Sequence, residues 1–210
     1  MDLVTQIDRV LEGRRLLSHP FYRRWEAGEL KDGELAAYGS QYEHFERQLP
    51  RTLQDVVDVC APGPARDVIH ASLDDELGSP RSHVELLGSF LEAVGAAPAP
   101  PTPATAVLVD LYRGAAARGA AFAVGVVAGY ELQAAQVART KAEGLRRFYG
   151  LSDVGTEFWD VHATMDETHG TWMLDAASSL DADAVLAGVD ASAAAWWDFL
   201  DEREAASLDR

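Results

Sequence analysis

Residues 119–133, GAAFAVGVVAGYELQ, contain the most apolar stretch of the chain, and small residues recur through it. The longer segment 105–148 reads as helix, with a break at Arg118–Gly119. Gly125 and Gly129 are interpreted as points where another helix packs closely rather than as helix breakers. The stretch therefore predicts a closely packed helix.

Helical periodicity continues outward from this stretch. Leu3, Ile7 and Leu11 repeat every four residues and mark one apolar face of a first helix. No run of alternating β-branched residues occurs, so no sheet is expected. We expect a single all-α domain over residues 1–210, a bundle of about seven to eight helices. The other predicted helical stretches are 19–28, a long one N-capped by Asp32 and interrupted at Pro50, 65–76, 82–94, 153–178 and 181–207, with a linker at 96–103.

The charge balance of the chain is strongly negative. Asp plus Glu number 34 against 18 Lys plus Arg, which gives a formal net charge of −16. Nucleic acids and anionic membranes attract basic surfaces, so neither is expected as the main partner. The stretch 119–129 is about half as long as a membrane span, and the N-terminus shows no signal-peptide pattern. We therefore expect a cytoplasmic protein.

One segment near the C-terminus, HATMDETH at residues 162–169, carries metal-ligand residue types. Spacings of four and three place His162, Asp166 and His169 on one helical face. Two imidazoles and a carboxylate are the donors that suit non-haem iron or manganese. A solvated polar face is the alternative explanation of the same pattern.

Two further sets of polar residues have the same chemical character. Glu76 and His83 are seven residues apart, and Gly78 and Pro80 indicate a kink or break between them; an acidic helix end is the alternative. Glu131 follows the apolar run, where burial of an unpaired carboxylate is costly unless a metal or a basic partner is present. Dinuclear carboxylate–histidine sites in helical bundles are assembled from such inward residues on facing helices.

Three motifs resemble the haem-oxygenase-like diiron oxidases, which share the fold of the TenA and PqqC proteins. They are HPFYRRWEAGEL from His19, YELQ from Tyr130 and HATMDETH from His162, and the resemblance covers roughly residues 10–200. Within the family the likeness is to the chlamydial protein associating with death domains and its bacterial relatives, which make p-aminobenzoate. The resemblance implies six metal ligands: Glu76, His83, Glu131, His162, Asp166 and His169.

The resemblance also implies two residues that take part in the chemistry. It implies that the aminobenzoate ring comes from a tyrosine of the chain, Tyr22, and the amine from a lysine, Lys141. With 16 Arg and only two Lys, Lys141 also stands out by residue type. The spacing along the chain places Lys141 about 15 Å beyond Glu131 along the helix and about 80° away from it around the helix axis. Direct contact of Lys141 with a metal is therefore not expected. The alternative for Tyr22 is an aromatic side chain of the core, and the alternative for Lys141 is a surface helix residue. The sequence departs from the family at Phe158, where a tyrosine is expected.

The leading functional prediction is a non-haem dimetal oxidase or oxygenase that uses Fe/Fe or Fe/Mn, O2 as co-substrate and an external reductant. Within that class we expect p-aminobenzoate formation by self-sacrificing oxidation of Tyr22. One alternative is a dimetal oxygenase acting on a free amino acid or fatty acid. Another is a metal-free enzyme of the thiaminase or PQQ-synthase type, and a third is a helical interaction protein. The substrate is thus a small molecule or the chain's own side chain, and the resemblance implies a homodimer.

Three other residues are predicted to be structural. His44 is expected on a solvated face, and His19 as a capping or turn residue. Cys60, the single cysteine, excludes an internal disulfide and a cysteine-based zinc site. It is expected to be a buried, inert thiol.

Overall fold

The computed structural model describes the backbone of residues 1–78 and 80–208, and their side chains except those of residues 32, 165–171, 207 and 208. This described part is all-α, with ten α-helices, two short 3-10 helices and no strand. The helices outnumber the predicted seven to eight because the interruptions near Pro50 and at Arg118–Gly119 each separate two full helices. The α-helices are α1 (Leu3–Glu12), α2 (Pro20–Ala27), α3 (Asp32–Glu46), α4 (Leu49–Val59), α5 (Pro64–Leu77), α6 (His83–Ala93), α7 (Pro103–Gly114), α8 (Ala120–Tyr149), α9 (Asp153–Ala177) and α10 (Ala182–Leu208).

Helix α8 is the central helix of the bundle and packs against both α9 and α10. Its residues from Phe122 to Tyr130 are buried without interruption. Two glycines allow α10 to approach. A Cβ at Gly125 would collide with the backbone carbonyl of Val185, and a Cβ at Gly129 would lie 2.7 Å from the Cβ of Ser192. The prediction of close packing at these two glycines is confirmed.

Gly125→Ala should destabilise the protein by about 3 kcal/mol, because the new methyl group would overlap main-chain atoms that cannot rotate away. Gly88→Ala in α6 is the matched control, since the Cβ position of Gly88 faces open space. There the substitution should stabilise the protein by about 0.5–1 kcal/mol through helix propensity. Chemical denaturation measures both variants. Equal stability of the two variants would contradict the close packing.

The break between α3 and α4 falls at a different residue from the predicted one. α3 ends at Glu46 and α4 begins at Leu49, so the break precedes Pro50. Pro50 lies in the first turn of α4, where its missing N–H costs no helical hydrogen bond. Pro50 therefore helps to begin a helix rather than interrupt one. The N-cap of α3 is Lys31 and not Asp32.

His19 fixes the start of α2, from which two aromatic side chains enter the core. His19 is fully buried, and its Nδ1 accepts a hydrogen bond from the backbone N–H of Phe21 at 3.1 Å. Its Nε2 lies 3.1 Å from a carboxylate oxygen of Asp201. The predicted capping role is confirmed. Tyr22 and Trp25, on the same helix, are both buried.

The predicted linker, observed at 96–102, lies along α3 and is held by side-chain hydrogen bonds. His44 takes part in this contact, so it is half-buried rather than on a solvated face. The donors and acceptors are Ser40 Oγ to Ala97 O at 2.7 Å, Gln41 Nε2 to Pro100 O at 3.1 Å and His44 Nε2 to Ala99 O at 2.8 Å.

By length and composition, α8 could cross a bilayer; among the described helices it alone passes this test, with a mean hydropathy of 1.2 over 18 residues. However, 67% of that stretch is buried inside the bundle. Burial of this kind is typical of the core helix of a globular domain. The cytoplasmic location stays a prediction.

Candidate metal centre

Three of the six predicted ligands meet inside the bundle. Glu76 lies near the end of α5, His83 begins α6 and His162 lies within α9. Nδ1 of His83 is 3.1 Å from Oε1 of Glu76, and Nε2 of His162 is 3.9 Å from the same oxygen. The two imidazole centroids are 4.3 Å apart, and all three side chains are buried. Two nitrogen donors and a carboxylate oxygen therefore surround one point.

A fourth side chain, Glu46 at the end of α3, joins this group and was not identified from the sequence. It is fully buried, with 0% of its surface exposed. A signal for it does exist: Glu46 follows Tyr42 by four residues and Phe45 by one, so it falls on the apolar stripe of its helix. We call the following four residues, whose donor atoms all lie within 4.8 Å of one another, the carboxylate–histidine cluster: Glu46, Glu76, His83 and His162.

A short break between α5 and α6 brings Glu76 and His83 together. Gly78 ends α5 with a φ of 37°, and a Cβ there would collide with the carbonyl oxygen of Arg81. Ser82 then caps α6 through its side chain, so the new helix begins at His83. The predicted break between Glu76 and His83 is confirmed.

His162 is held in the tautomer that can bind a metal through Nε2. Its Nδ1 lies 2.8 Å from the backbone oxygen of Phe158. A carbonyl oxygen only accepts, so Nδ1 carries the proton, and in the neutral ring Nε2 carries the lone pair on the side of Glu76. Metal-binding histidines commonly have this arrangement. The ring of Phe158, 4.2 Å from the imidazole centroid, also limits its rotation.

Burial makes the cluster unfavourable for negative charge. Burial, together with the charge of Glu131, raises the pKa of Glu76 to about 8. The pKa of Glu46 is raised well above its ordinary value, first by burial and then by Glu76. Burial lowers the pKa of His83, which favours the neutral form that binds metals. A divalent cation among these groups would remove the repulsion between the carboxylates.

The other three predicted ligands are not among the four residues of the cluster. Glu131 interacts electrostatically with the cluster: burial raises its pKa to about 7, and His83 opposes that rise. It is not one of the four described residues whose donors lie within 4.8 Å of one another. The side chains of Asp166 and His169 lie outside the described residues, although the α9 backbone continues through both positions. Their ligand roles stay predictions.

Lys141, on α8, lies in a second buried site. It is 1% exposed, which rules out the surface position that was one alternative. Its Nζ is 4.0 Å from the ring centroid of Trp159 and 4.9 Å from that of Tyr22. Five rings lie within 5.8 Å of this nitrogen, and we call them the aromatic cage: Tyr22, Trp25, Tyr38, Tyr42 and Trp159.

Tyr38 connects Lys141 to Tyr22. Nζ of Lys141 donates a hydrogen bond to Oη of Tyr38 at 2.7 Å, and this oxygen lies 3.0 Å from Oη of Tyr22. Burial lowers the pKa of Lys141 well below its ordinary value, while Glu46 opposes the shift. The charge of Glu46 also acts on Tyr38 and Tyr42. The aromatic cage and the carboxylate–histidine cluster therefore adjoin.

The cluster's donor atoms fit a first-row transition metal. Two imidazoles with two carboxylates are the ligand types of non-haem iron and manganese. Both oxygens of Glu46 and Oε2 of Glu76 make no hydrogen bond of standard geometry with the residues that the structure describes, although the two carboxyl groups contact each other. Buried polar atoms are normally satisfied, and one bound cation could satisfy these atoms together.

An all-α bundle with a buried carboxylate–histidine site defines a class of metal-dependent redox proteins. The family model described as "Iron-containing redox enzyme" matches residues 36–197, and the chain belongs to this family of enzymes. It is 30% identical over 217 residues to the 4-aminobenzoate synthase of Nitrosomonas europaea, covering 93% of this chain and 88% of that protein. It is 26% identical over 211 residues to the 4-aminobenzoate synthase of Chlamydia trachomatis serovar D, covering 96% and 91%.

Solved structures with the same architecture confirm the predicted haem-oxygenase-like, TenA-like fold. A TenA homologue from Pseudomonas syringae pv. tomato superimposes with a TM-score of 0.82 at 12% identity, covering 97% of this chain and 93% of that one. A CADD-like protein from Nostoc punctiforme gives a TM-score of 0.76 at 16% identity, covering 98% and 97%. At such identities these similarities concern the fold alone.

Proposed function

We propose that this protein is a dimetal oxidase, with Fe/Fe or Fe/Mn, that forms 4-aminobenzoate from its own Tyr22 with Lys141 as the amine source. The observation that carries the proposal is the 4.9 Å distance between Nζ of Lys141 and the ring centroid of Tyr22. The names of the relatives support the product, and the carboxylate–histidine cluster supports the metal.

The chemical relation between tyrosine and 4-aminobenzoate explains why these two residues are needed. Both are para-substituted benzene rings, so Tyr22 can supply the ring and, from Cβ, the carboxylate carbon. The Cα–Cβ bond must break, and Cβ must be oxidised to the carboxylate with O2 as the oxidant. Nζ of Lys141 must replace the phenol oxygen, so the Cε–Nζ bond of Lys141 breaks and the phenol oxygen leaves as water. The bound metals would supply the redox chemistry with O2, and an external reductant would supply electrons.

The chain's own contribution is to hold the amine and the phenol together without water. Burial disfavours the ammonium form of Lys141, so its nitrogen can carry the lone pair that bond formation to carbon requires. Tyr38 hydrogen-bonds to both Lys141 and Tyr22 and so fixes their relative position. Because both groups are fixed before reaction, little entropy is lost in bringing them together.

A dimetal oxygenase acting on a free amino acid or fatty acid is the second candidate, and one observation favours it. A cleft of about 300 Å³ opens beside the cluster and is lined by His83, Arg81, Glu157 and Asp74, among others. Arg81 pairs with Glu157 at 2.7 Å on the wall of this cleft. A small external substrate would reach the cluster by this opening.

The metal-free alternative has weaker support. The thiaminase type requires a cysteine nucleophile, and the one cysteine, Cys60, is buried. Burial raises the pKa of its thiol, which lowers the fraction of the reactive thiolate. The orphaned donor atoms of the cluster would also have no role in such an enzyme.

The proposal is tested with protein prepared from ring-labelled tyrosine and loaded with Fe(II), then given reductant and O2. We expect labelled 4-aminobenzoate and, by peptide mass spectrometry, loss of the side chain at Tyr22 and of the amine nitrogen at Lys141. Unlabelled product would exclude Tyr22 as the source of the ring. An intact Tyr22 together with oxidation of an added amino acid or fatty acid would favour the second candidate.

Lys141→Met should abolish 4-aminobenzoate formation while leaving the fold intact. The thioether has a similar volume and removes a buried amine, so the free energy of unfolding should stay equal or rise. Lys31→Met is the matched control, because Lys31 is the only other lysine and is exposed. Product assays and thermal denaturation of both variants measure these effects. A wild-type yield from Lys141→Met would show that the amine comes from elsewhere.

A further inference from the structure

Glu46 is the member of the carboxylate–histidine cluster that the family resemblance does not include. It is the last residue of α3 and is fully buried. Neither of its carboxylate oxygens makes a hydrogen bond of standard geometry in the described part of the chain, and the group that it contacts, Glu76, is a second carboxyl group. A carboxylate at a helix C-terminus also meets the negative end of the helix dipole. The local structure therefore does not stabilise a charge on Glu46.

The described side chains nearest Glu46 offer donor atoms for a cation. Its side chain faces donors of Glu76, His83 and His162 within 4.8 Å. Glu76 is itself acidic, and imidazole nitrogens are metal donors. Lys141 interacts with Glu46 electrostatically, but its Nζ donates its hydrogen bond to Oη of Tyr38 at 2.7 Å. Among the described residues, Glu46 therefore lies in a set of metal-ligand atoms.

We propose that Glu46 is a metal ligand of this chain, additional to the six residues that the resemblance implies. The inference rests on the proposed function only in requiring that the cluster binds metal. With Glu46, a single ion would have two carboxylates and two imidazoles from four helices, α3, α5, α6 and α9. The remaining expected ligands, Glu131, Asp166 and His169, would then be left for a second ion.

A role in filling space would explain Glu46 less well. The side chains before it on the same stripe, Tyr42 and Phe45, are apolar or aromatic and pack into the core. A buried carboxyl group that faces a second one, that of Glu76, destabilises the fold, whereas an apolar residue of similar size would not. A ligand role accounts for both the carboxylate and its position beside Glu76.

The test is Mn(II) binding by Glu46→Gln, which keeps the side-chain shape and removes the charged ligand. We expect Mn(II) affinity to fall more than about a hundredfold, because loss of a group that only hydrogen-bonds to a ligand already costs about 10–100-fold. The metal-free variant should melt at a higher temperature than wild type, because the amide cannot carry the negative charge that burial and Glu76 oppose. A residue with only a structural role would not move the two quantities in opposite directions.

Glu43→Gln is the matched control on the same helix. Glu43 is partly exposed and pairs with Arg47 at 2.6 Å. The Mn(II) affinity of the Glu43→Gln protein should therefore equal that of wild type. A loss of less than about a hundredfold in Glu46→Gln would overturn the proposal for Glu46 and leave the proposed function standing. Failure of the wild-type protein to bind Mn(II) or Fe(II) would overturn both.

A second variant covers the case in which Glu46→Gln does not fold. Glu46→Asp keeps a carboxylate but withdraws its oxygens by one methylene. A ligand role predicts a changed visible spectrum of the Co(II)-substituted protein, since the coordination geometry changes. An unchanged Co(II) spectrum with wild-type affinity would overturn the proposal.

Discussion

Tyr22→Phe should abolish 4-aminobenzoate formation, because the phenol oxygen and the ring of Tyr22 are the proposed starting material. The fold should persist, since the variant loses only the hydrogen bond to Tyr38, which is worth about 1 kcal/mol. Metal binding should equal that of wild type, because Tyr22 belongs to the aromatic cage and not to the carboxylate–histidine cluster. Product analysis after one turnover with Fe(II), reductant and O2 measures the effect.

Tyr149→Phe is the control for this substitution. The Tyr149 hydroxyl accepts a hydrogen bond from the backbone N–H of Leu30 at 3.0 Å and is not part of the aromatic cage. Its removal costs a comparable hydrogen bond but should leave the product yield unchanged. A wild-type yield from Tyr22→Phe would assign the ring to another tyrosine or to an external substrate.

His162→Ala should remove the stabilisation that metal gives to the fold. Saturating metal, at about one hundred times Kd, stabilises the native state by about 2.7 kcal/mol, which corresponds to about 5–10 °C in Tm for a domain of this size. His162 supplies Nε2 to the cluster. We therefore expect Tm to rise with Fe(II) or Mn(II) in the wild-type protein and to stay constant in His162→Ala.

His70→Ala is the control for this experiment. His70 is on the surface of α5, more than half exposed, and pairs with Asp74. The comparison uses the metal-induced increment in Tm, because loss of the His162 ring also removes the side-chain hydrogen bond to the Phe158 carbonyl. An undiminished increment in His162→Ala would contradict a ligand role for this residue.

The sequence predicted the helices well because their signals are local. Apolar residues three and four apart mark each face, and Gly and Pro mark the breaks at Gly78 and at Arg118–Gly119. Pro50 was placed correctly near a break, but its preference for the first turn of a helix decides which side of the break it occupies. Local patterns also indicated Glu76 and His83, since a carboxylate and an imidazole flank a helix break.

Local sequence patterns did not identify Glu46 as a residue of the cluster. Its place on an apolar stripe is visible in the sequence, and the same criterion had already indicated Glu131. Only the convergence of α3 with α5, α6 and α9 distinguishes Glu46 as a donor at the cluster.

The sequence by itself determined an all-α chain, the approximate extent of its helices and the residue types of a metal site, because helix formation and amphipathicity depend on neighbours within a few turns. Tertiary structure alone decided the partners of Lys141. The angular spacing between Glu131 and Lys141 could not show whether Lys141 is buried. The central helix α8 packs against several neighbours, so a residue can be buried on a face different from that of Glu131. Packing of α2, α3 and α9 against α8 builds the aromatic cage, and such contacts between distant segments leave no periodic signal in the sequence.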